Sequence, residues 1–593
     1  MKKKQKGMVK TLLGSVREYK TASILTPLFM IGEVAFECFI PFLMATKLLG
    51  HLEYAKDLGI SPDVGYLLGW GGILILCALM SLTFGSLAGI FAAKASTGFG
   101  KNLRKDLYYK VQEFSFKNID NFSTSSLVTR LTTDVSNVQH AYQMVIRIAV
   151  RAPVMMIVSV IFAINILPEV GLIYLISVPF LITGLALVMV FAMRTFNRIF
   201  KKYDALNNTV QENIKGMRVV KAYVREDYEK DKFETSAEDV RRSFTKAEKI
   251  VALNNPIMNI AMYTTTTLVL FLCASLGANF DVANLSALMS YSVQILMSFM
   301  MFSMFFVMLT MALASGKRIT EVLNEESTIL NPVAPLTEVK DGSIEFKNVS
   351  FKYFESSEKF ALDGVNLTIN SGETVGILGS TGSSKSTLVQ LIPRLYDVSQ
   401  GQVLVGGVKV QDYDLKVLRD SVAMVLQKNV LFSGTVADNV RWGDKDASDE
   451  EVKRVCRMAC ADDFITSFPD GYETKIEQGG ANVSGGQKQR LCIARALLKK
   501  PKILILDDST SAVDMKTDAY IRNSIKNEIP DTTKIIIAQR VASVMDADKI
   551  IIMDNGKINA IGTHEELLNN NSIYQEVYYS QTQTDDSDKE VNC

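Results

Sequence analysis

Histidine is nearly missing from this chain of 593 residues: there are 3, His51, His140 and His564, and none lies near another. The 7 cysteines, Cys38, Cys77, Cys273, Cys456, Cys460, Cys492 and Cys593, include no C-x-x-C pair. A zinc site needs clustered thiolates and imidazoles, so none is expected, and scattered thiols in so long a chain give no disulfide framework. Net charge is lacking too. Lys plus Arg number 64 and Asp plus Glu 63, leaving +1 and no global field to draw in nucleic acid. The start, MKKKQKGMVK, is basic, but no apolar stretch and small-residue cleavage site follow it, so no cleaved signal peptide is expected. Apolar residues, in contrast, are abundant. They make up 48% of the chain, and the mean hydropathy of +0.15 excludes disorder throughout and fits partial embedding in lipid.

Crossing about 30 Å of hydrocarbon takes about 20 mostly apolar residues in a helix, because other backbone leaves its amides unpaired in lipid. Six stretches qualify, near Ala22–Leu49, Tyr66–Ala93, Val145–Leu167, Val170–Met193, Val251–Gly277 and Asn284–Ala312. Pro168 and Glu169 separate the third from the fourth, which predicts a tight hairpin. Long stretches rich in Lys and Arg, from Lys94 to Gln143 and from Arg194 to Ile250, alternate with outer loops that carry almost none. The positive-inside rule places the basic stretches and both termini in the cytoplasm. Helical patterning persists in VTRLTTDVSNVQHAYQMV and NNTVQENIKGMRVVKAY, so spans two to five are expected to continue as rods that turn near Asn118–Ser123 and near Lys215–Val219. Ser123 is a candidate N-cap.

Glu33 and Glu37, four apart in span one, share a helix face and should meet a cavity or a partner rather than lipid. They are candidate substrate contacts, as is the helical stripe Met297, Met300, Met304 and Met308 in span six, for which ordinary helix packing is the leading alternative. Arg147 and Arg151 are expected to anchor the cytoplasmic end of span three.

Beyond a polar connector the pattern changes to short strands alternating with helices, from SIEFKNVSFKY through ETVGILG to KILILD and KIIIAQ, which predicts an α/β domain with a largely parallel sheet. GSTGSSKS, running Gly379, Ser380, Thr381, Gly382, Ser383, Ser384, Lys385 and Ser386, sits between a strand and a helix. It follows the phosphate-binding spacing G-x-x-x-x-G-K-[ST] except that Ser384 replaces the glycine before the lysine. Lys385 would neutralise phosphate oxygens and Ser386 would reach Mg²⁺. An apolar strand ends in Asp507 and Asp508, where a carboxylate can hold the metal.

Together with VSGGQ at Val483, Ser484, Gly485, Gly486 and Gln487, with SAVD at Ser511, Ala512, Val513 and Asp514, with Gln427, and with IIIAQR ending at Arg540, these motifs resemble the nucleotide-binding domain of an ABC transporter. With six spans ahead of it, the chain resembles a half-size ABC exporter of the multidrug type, of the type IV fold, from about residue 8 to 578. The resemblance implies a segment 1–21 leading into an all-α transmembrane domain 22–315, a linker 316–340, an α/β nucleotide-binding domain 341–580, and an acidic tail 581–593 expected to be disordered. It also implies ATP and Mg²⁺ as cofactors. Tyr353 would stack on adenine, Lys385, Thr387 and the Gly379–Ser386 loop would hold phosphate, and Ser386, Gln427 and Asp507 would hold the metal. The VSGGQ signature would meet the nucleotide of a second subunit. The fusion of spans to ATPase favours export over import. A soluble P-loop ATPase shares the signature but lacks six spans, and a non-transporting regulator shares the whole scaffold.

Three positions depart from the family pattern. Asp508 stands where the family has a catalytic Glu, Gln539 where it has a switch His, and Ser384 where it has Gly. The resemblance therefore implies the degenerate-site subunit of a heterodimer, embedded in the lipid bilayer, whose second half-transporter supplies the competent residues. The alternative is a homodimeric exporter of lipid or peptide. The expected substrate is a small amphipathic molecule, and no nucleic acid is expected as partner.

Overall fold

The computed structural model describes residues 7–275, 282–509 and 512–590. The chain divides into two compact units, one formed by residues 1–112 and 123–325 and the other by residues 113–122 and 326–593. Each boundary departs from a simple cut in the middle of the chain. The tip of the first cytoplasmic loop belongs to the second unit, and the last helix of the first unit runs on to Asn324, through residues whose polarity suggested a linker.

The first unit is all-α. Its span helices are Lys20–Leu43, Val64–Gln112, Val135–Ile166, Val170–Ala222, Asn254–Ser275 and Val282–Asn324, and six stretches are long and apolar enough to cross a membrane. Spans two and four hold 49 and 53 residues, so at 1.5 Å per residue each is about 75 Å long, well beyond the hydrocarbon thickness. Spans three and four meet at Pro168 and Glu169, as the sequence predicts. Lipid offers no hydrogen bonds, so polar groups within the bundle pair with one another. Tyr291 Oη donates to the Cys38 carbonyl at 2.9 Å, and Tyr174 Oη and Ser292 Oγ lie 2.8 Å apart. These tyrosines sit in an apolar cluster with Val34, Met155, Val269 and Leu288.

Two local expectations fare differently. Ser123 caps the helix Thr124–Thr129, accepting from Ser126 N at 3.3 Å. The second turn, however, does not fall at Lys215–Val219. Span four continues through those residues to Ala222 and the chain reverses at Tyr223–Arg225, where Val224 takes φ +51°. Gly216 alone costs too little to break a helix whose flanking Lys, Met and Arg are strong helix formers.

The start of span three is tied to the end of span six by charge. A π-helical turn, Arg130–Asp134, precedes span three and places Asp134 fully out of solvent. Ser315 Oγ donates to Asp134 Oδ1 at 2.9 Å, and the Arg318 guanidinium pairs with the same carboxylate. Arg130 in turn donates to the Arg318 carbonyl at 2.8 Å and reaches Glu321 at 3.2 Å.

The second unit is α/β. A six-stranded sheet runs in the spatial order Lys557–Gly562, Lys549–Asp554, Thr374–Gly379, Thr533–Ile537, Ile503–Asp507, Val422–Val425; its first pair is antiparallel and the rest parallel. Ile503–Asp507 is buried along its whole length, as a central parallel strand covered on both faces must be. A second, antiparallel sheet is built on Ile344–Phe351 and Leu362–Ile369, and its Phe346, Val365 and Leu367 share one core with Ile377, Ile505 and Ile537 of the first.

Removing the Asp134 carboxylate should leave Arg318 and Ser315 without their shared acceptor. Asp134→Ala is expected to cost about 2–3 kcal/mol, at the lower end for a buried pair because Arg318 is half exposed. Glu321→Ala should cost under about 1 kcal/mol. Thermal unfolding of the purified full-length variants checks the ranking.

Candidate functional site

Parallel sheets place their ligands beyond the carboxyl ends of the strands. Register brings four such ends side by side: Ile377 pairs with Ile537, Ile537 with Asp507, and Leu506 with Val425. The loops that leave there carry Gly379–Ser386, Gln539, Asp508 and Gln427 respectively. Four stretches at least 31 residues apart in sequence thus converge on one edge.

In the first loop Gly379 has φ +153°, and a Cβ on it would lie 2.2 Å from the Met553 carbonyl, so only glycine fits. Ser384 precedes the following helix at φ +70°, a left-handed conformation that costs a residue with a Cβ about 1–2 kcal/mol. The serine substitution therefore occupies a position whose backbone calls for glycine. Lys385 folds back on the loop and donates to the carbonyls of Gly379 and Ser380, both at 2.8 Å, while the exposed Ser380, Thr381 and Gly382 leave the loop open on its outer side. Ser383 is buried beneath it. Burial holds the lysine below its ordinary range, partly offset by the Asp507 and Asp508 carboxylates.

Ser386 Oγ donates to Asp507 Oδ1 at 2.9 Å. Asp507 is 3% exposed; burial pushes its carboxyl above the usual range, the Ser386 bond draws it down, and neighbouring Asp508 pushes it up again. A buried carboxylate and a hydroxyl at this distance form an oxygen donor set suited to a hard divalent cation, whose charge would also remove the cost of burial. Gln427 lies exposed past the end of Val422–Val425.

Tyr353 Oη lies 2.9 Å from Thr387 Oγ1, and its ring packs edge-on against Phe351 at 4.9 Å and Tyr396 at 5.3 Å. It borders a cleft of about 460 Å³ that also includes Lys352 and Phe360. The loop tip Glu113–Phe122 reaches the same region: Tyr396 Oη donates to Asp120 Oδ2 at 2.7 Å, and Phe116 meets the Tyr396 ring at 6.0 Å.

Asp508 has φ +49°, and its Oδ2 accepts from Gln539 Nε2 at 2.8 Å. The two substituted positions therefore hold one another. Sequence reasoning missed their neighbour Gln581, which donates to the Gln539 carbonyl and accepts from the Val541 amide, both at 2.9 Å. Gln581 opens the stretch expected to be a disordered tail; the final helix, Ser572–Glu590, runs through it because Ile573, Val577 and Tyr578 anchor its first turns on an apolar cluster. A glutamine in a polar tail carries no sequence signal of such a contact.

Ser484 caps the helix Gly485–Leu498 in a reciprocal box: Gln487 N donates to Ser484 Oγ at 3.3 Å and Ser484 N to Gln487 Oε1 at 2.9 Å. Val483 is buried behind it, and a Cβ on Gly486 would lie 2.8 Å from the Ala512 carbonyl. Ala512 N donates to Gln489, Val513 is buried, and Asp514 caps Met515–Glu528; Ser511 lies outside the described residues.

In the first unit Arg151 does not snorkel outward. It pairs with Glu33 at 3.2 Å and Glu37 at 2.8 Å, so spans one and three share the charge. Glu33 Oε2 is buried with no hydrogen-bond partner among the described residues. Met297, Met300, Met304 and Met308 are 38 to 60% exposed, so their stripe is left open by this chain rather than packed within it.

Because the buried environment disfavours the ionised Asp507 carboxylate, Asp507→Asn should raise the thermal midpoint of the nucleotide-free chain while weakening retention of Mg²⁺-ATP. Differential scanning fluorimetry with and without Mg²⁺-ATP reads both effects.

Comparison with known proteins agrees with this geometry. Residues 44–310 match the ABC transporter transmembrane region family and residues 362–511 the ABC transporter family. The ABC transporter ATP-binding protein YfiB of Bacillus subtilis (strain 168) is 34% identical over 577 residues, covering 96% of this chain and 98% of that protein. Rv1273c of Mycobacterium tuberculosis (strain ATCC 25618 / H37Rv), also an ABC transporter ATP-binding protein, is 36% identical over 523 residues, 87% of this chain and 88% of its own. A bacterial Atm1-family ABC exporter with ATP bound superposes with a TM-score of 0.82 at 22% identity, over 95% of this chain and 98% of that one. The chain belongs to the ABC transporters, with its membrane-spanning and ATP-binding domains on one polypeptide.

Proposed function

We propose that this chain is the degenerate-site subunit of a heterodimeric exporter: it binds ATP at its own phosphate loop, cleaves it slowly, and lends its signature to the competent site of a partner. The observation that carries this reading is the Gln539–Asp508 bond at 2.8 Å. A general base for hydrolysis must reach the attacking water, and a positional error of about 1 Å can cost about 10²-fold. Asp508 is one methylene shorter than glutamate, and an amide donor already occupies one of its oxygens. Gln539 cannot take up a proton to become a cation as histidine can. Ser384 adds strain to the same loop. The signature, in contrast, keeps its cap and its glycines.

Ser386, Gln427 and Asp507 would hold Mg²⁺, which when bound neutralises charge on the β and γ phosphates. Lys385 and the loop amides grip the phosphates, and Tyr353 offers its ring to the base. Ser511–Asp514 would line the boundary with the partner. ATP held between two subunits favours the closed pair by differential affinity, and the long span helices carry closure to the membrane. Apolar residues exposed at the second cytoplasmic turn, Ile214, Val219, Tyr223 and Val224, support a partner that covers them.

The transported molecule is proposed to be small and amphipathic. The exposed methionine stripe offers a pliable apolar face, and the Glu33–Glu37–Arg151 group sets two carboxyl groups against one guanidinium, which suits a cationic end.

The lone chain, reconstituted in nanodiscs, should hydrolyse ATP at least tenfold more slowly than when paired with a half-transporter encoded beside it; equal rates overturn the heterodimer. Combining Asp508→Glu, Gln539→His and Ser384→Gly should raise the lone chain's rate by about 10²-fold. Glu33→Gln with Glu37→Gln should abolish stimulation of the pair by cationic amphiphiles and spare its basal rate, and equal loss of both would remove these residues from the substrate path.

A further inference from the structure

We infer that Gln581 is a positioning residue for the ATP site: the final helix uses this one side chain to fix the main chain of the loop that carries Gln539, and so aims the Gln539 amide at Asp508. A glutamine amide has one acceptor end and one donor end, and here both are used on a single three-residue turn. Oε1 accepts from the Val541 amide and Nε2 donates to the Gln539 carbonyl, each at 2.9 Å. That pattern replaces the backbone partners a loop lacks once it has left the strand Thr533–Ile537.

The rest of the loop is held independently. Val541 and Val544 are buried in one apolar cluster with Leu378 and Tyr574, and Val577 and Tyr578 of the final helix pack on it. Ser543 Oγ donates to Asp518 Oδ2 at 3.0 Å. Packing therefore fixes residues 541–544, whereas Gln539 is exposed and its main chain is anchored through Gln581. The two ends of this relay, Gln581 to the Gln539 carbonyl and the Gln539 amide to Asp508, lie on the same residue, so freedom at the first bond becomes misalignment at the second. The inference is independent of which subunit completes the site and of whether this site hydrolyses ATP.

Gln581→Met keeps the side chain's length without hydrogen bonds, and Gln581→Glu keeps the acceptor for Val541 while losing the donor. In full-length chain purified in nanodiscs, hydrogen exchange at the Val541 amide should be about five- to tenfold faster in the Met variant, the loss of roughly one hydrogen bond, and near normal in the Glu variant. Release of a fluorescent ATP analogue loaded with Mg²⁺ should change in both variants, because both free the Gln539 carbonyl, with the thermal midpoint held. Unchanged exchange and release in the Met variant would overturn the inference. So would equal losses in both variants accompanied by faster exchange throughout the unit, since packing alone would then account for Gln581.

Discussion

The hydrogen bond from Gln539 to Asp508 joins the ends of two neighbouring parallel strands, at the edge where the ATP-binding unit must do its chemistry. Everything else in that unit serves to bring those ends together. Four loops distant in sequence converge because their strands are adjacent in the sheet, and the sheet is stable because its central strands are largely buried. The site then departs from its family where two side chains satisfy each other instead of a water and a phosphate. On the proposed reading, a carboxylate engaged by a neutral amide is a good structural contact and a poor base, and the bond that tidies the nucleotide-free site slows turnover there.

The membrane unit solves a related problem. Charge is costly in lipid, and Arg151 offsets both Glu33 and Glu37 at short distance while Glu33 Oε2, without a partner among the described residues, faces span two, where a Cβ on Gly85 would lie 3.0 Å from the Glu33 carboxyl carbon. Near the cytoplasmic end, the buried Asp134 carboxylate and the half-exposed Arg318 bind the start of span three to span six. These charges lock helices to one another, whereas the second cytoplasmic hairpin is held by exposed pairs such as Lys232–Glu212 and Lys202–Asp239, each of small worth. The strong links lie between spans one, three and six, and the weak ones lie along the hairpin whose apolar tip is left uncovered.

Much of this was legible in the chain. Six apolar stretches announce six helices because lipid permits little else, and the phosphate loop, the paired aspartates and the signature stand out because their chemistry tolerates few residue types. Less legible were features set by tertiary packing. Arg151 looked like an interfacial anchor because its partners lie more than 110 residues away in sequence. The second cytoplasmic turn lies beyond Lys215–Val219 because strong helix formers carry span four on to Ala222. Gln581 was invisible because hydrogen bonds to backbone demand no particular neighbour in sequence, and the polar composition around it argued for disorder.

The most direct test of the account is the nucleotide found on this chain while the assembled transporter turns over. Photolabelling with an azido-ATP carrying label in both the α and γ phosphates, followed by separation of the two subunits, distinguishes intact from cleaved nucleotide on each. The account predicts uncleaved triphosphate on this chain and diphosphate on its partner. Diphosphate in equal measure on both subunits would contradict it.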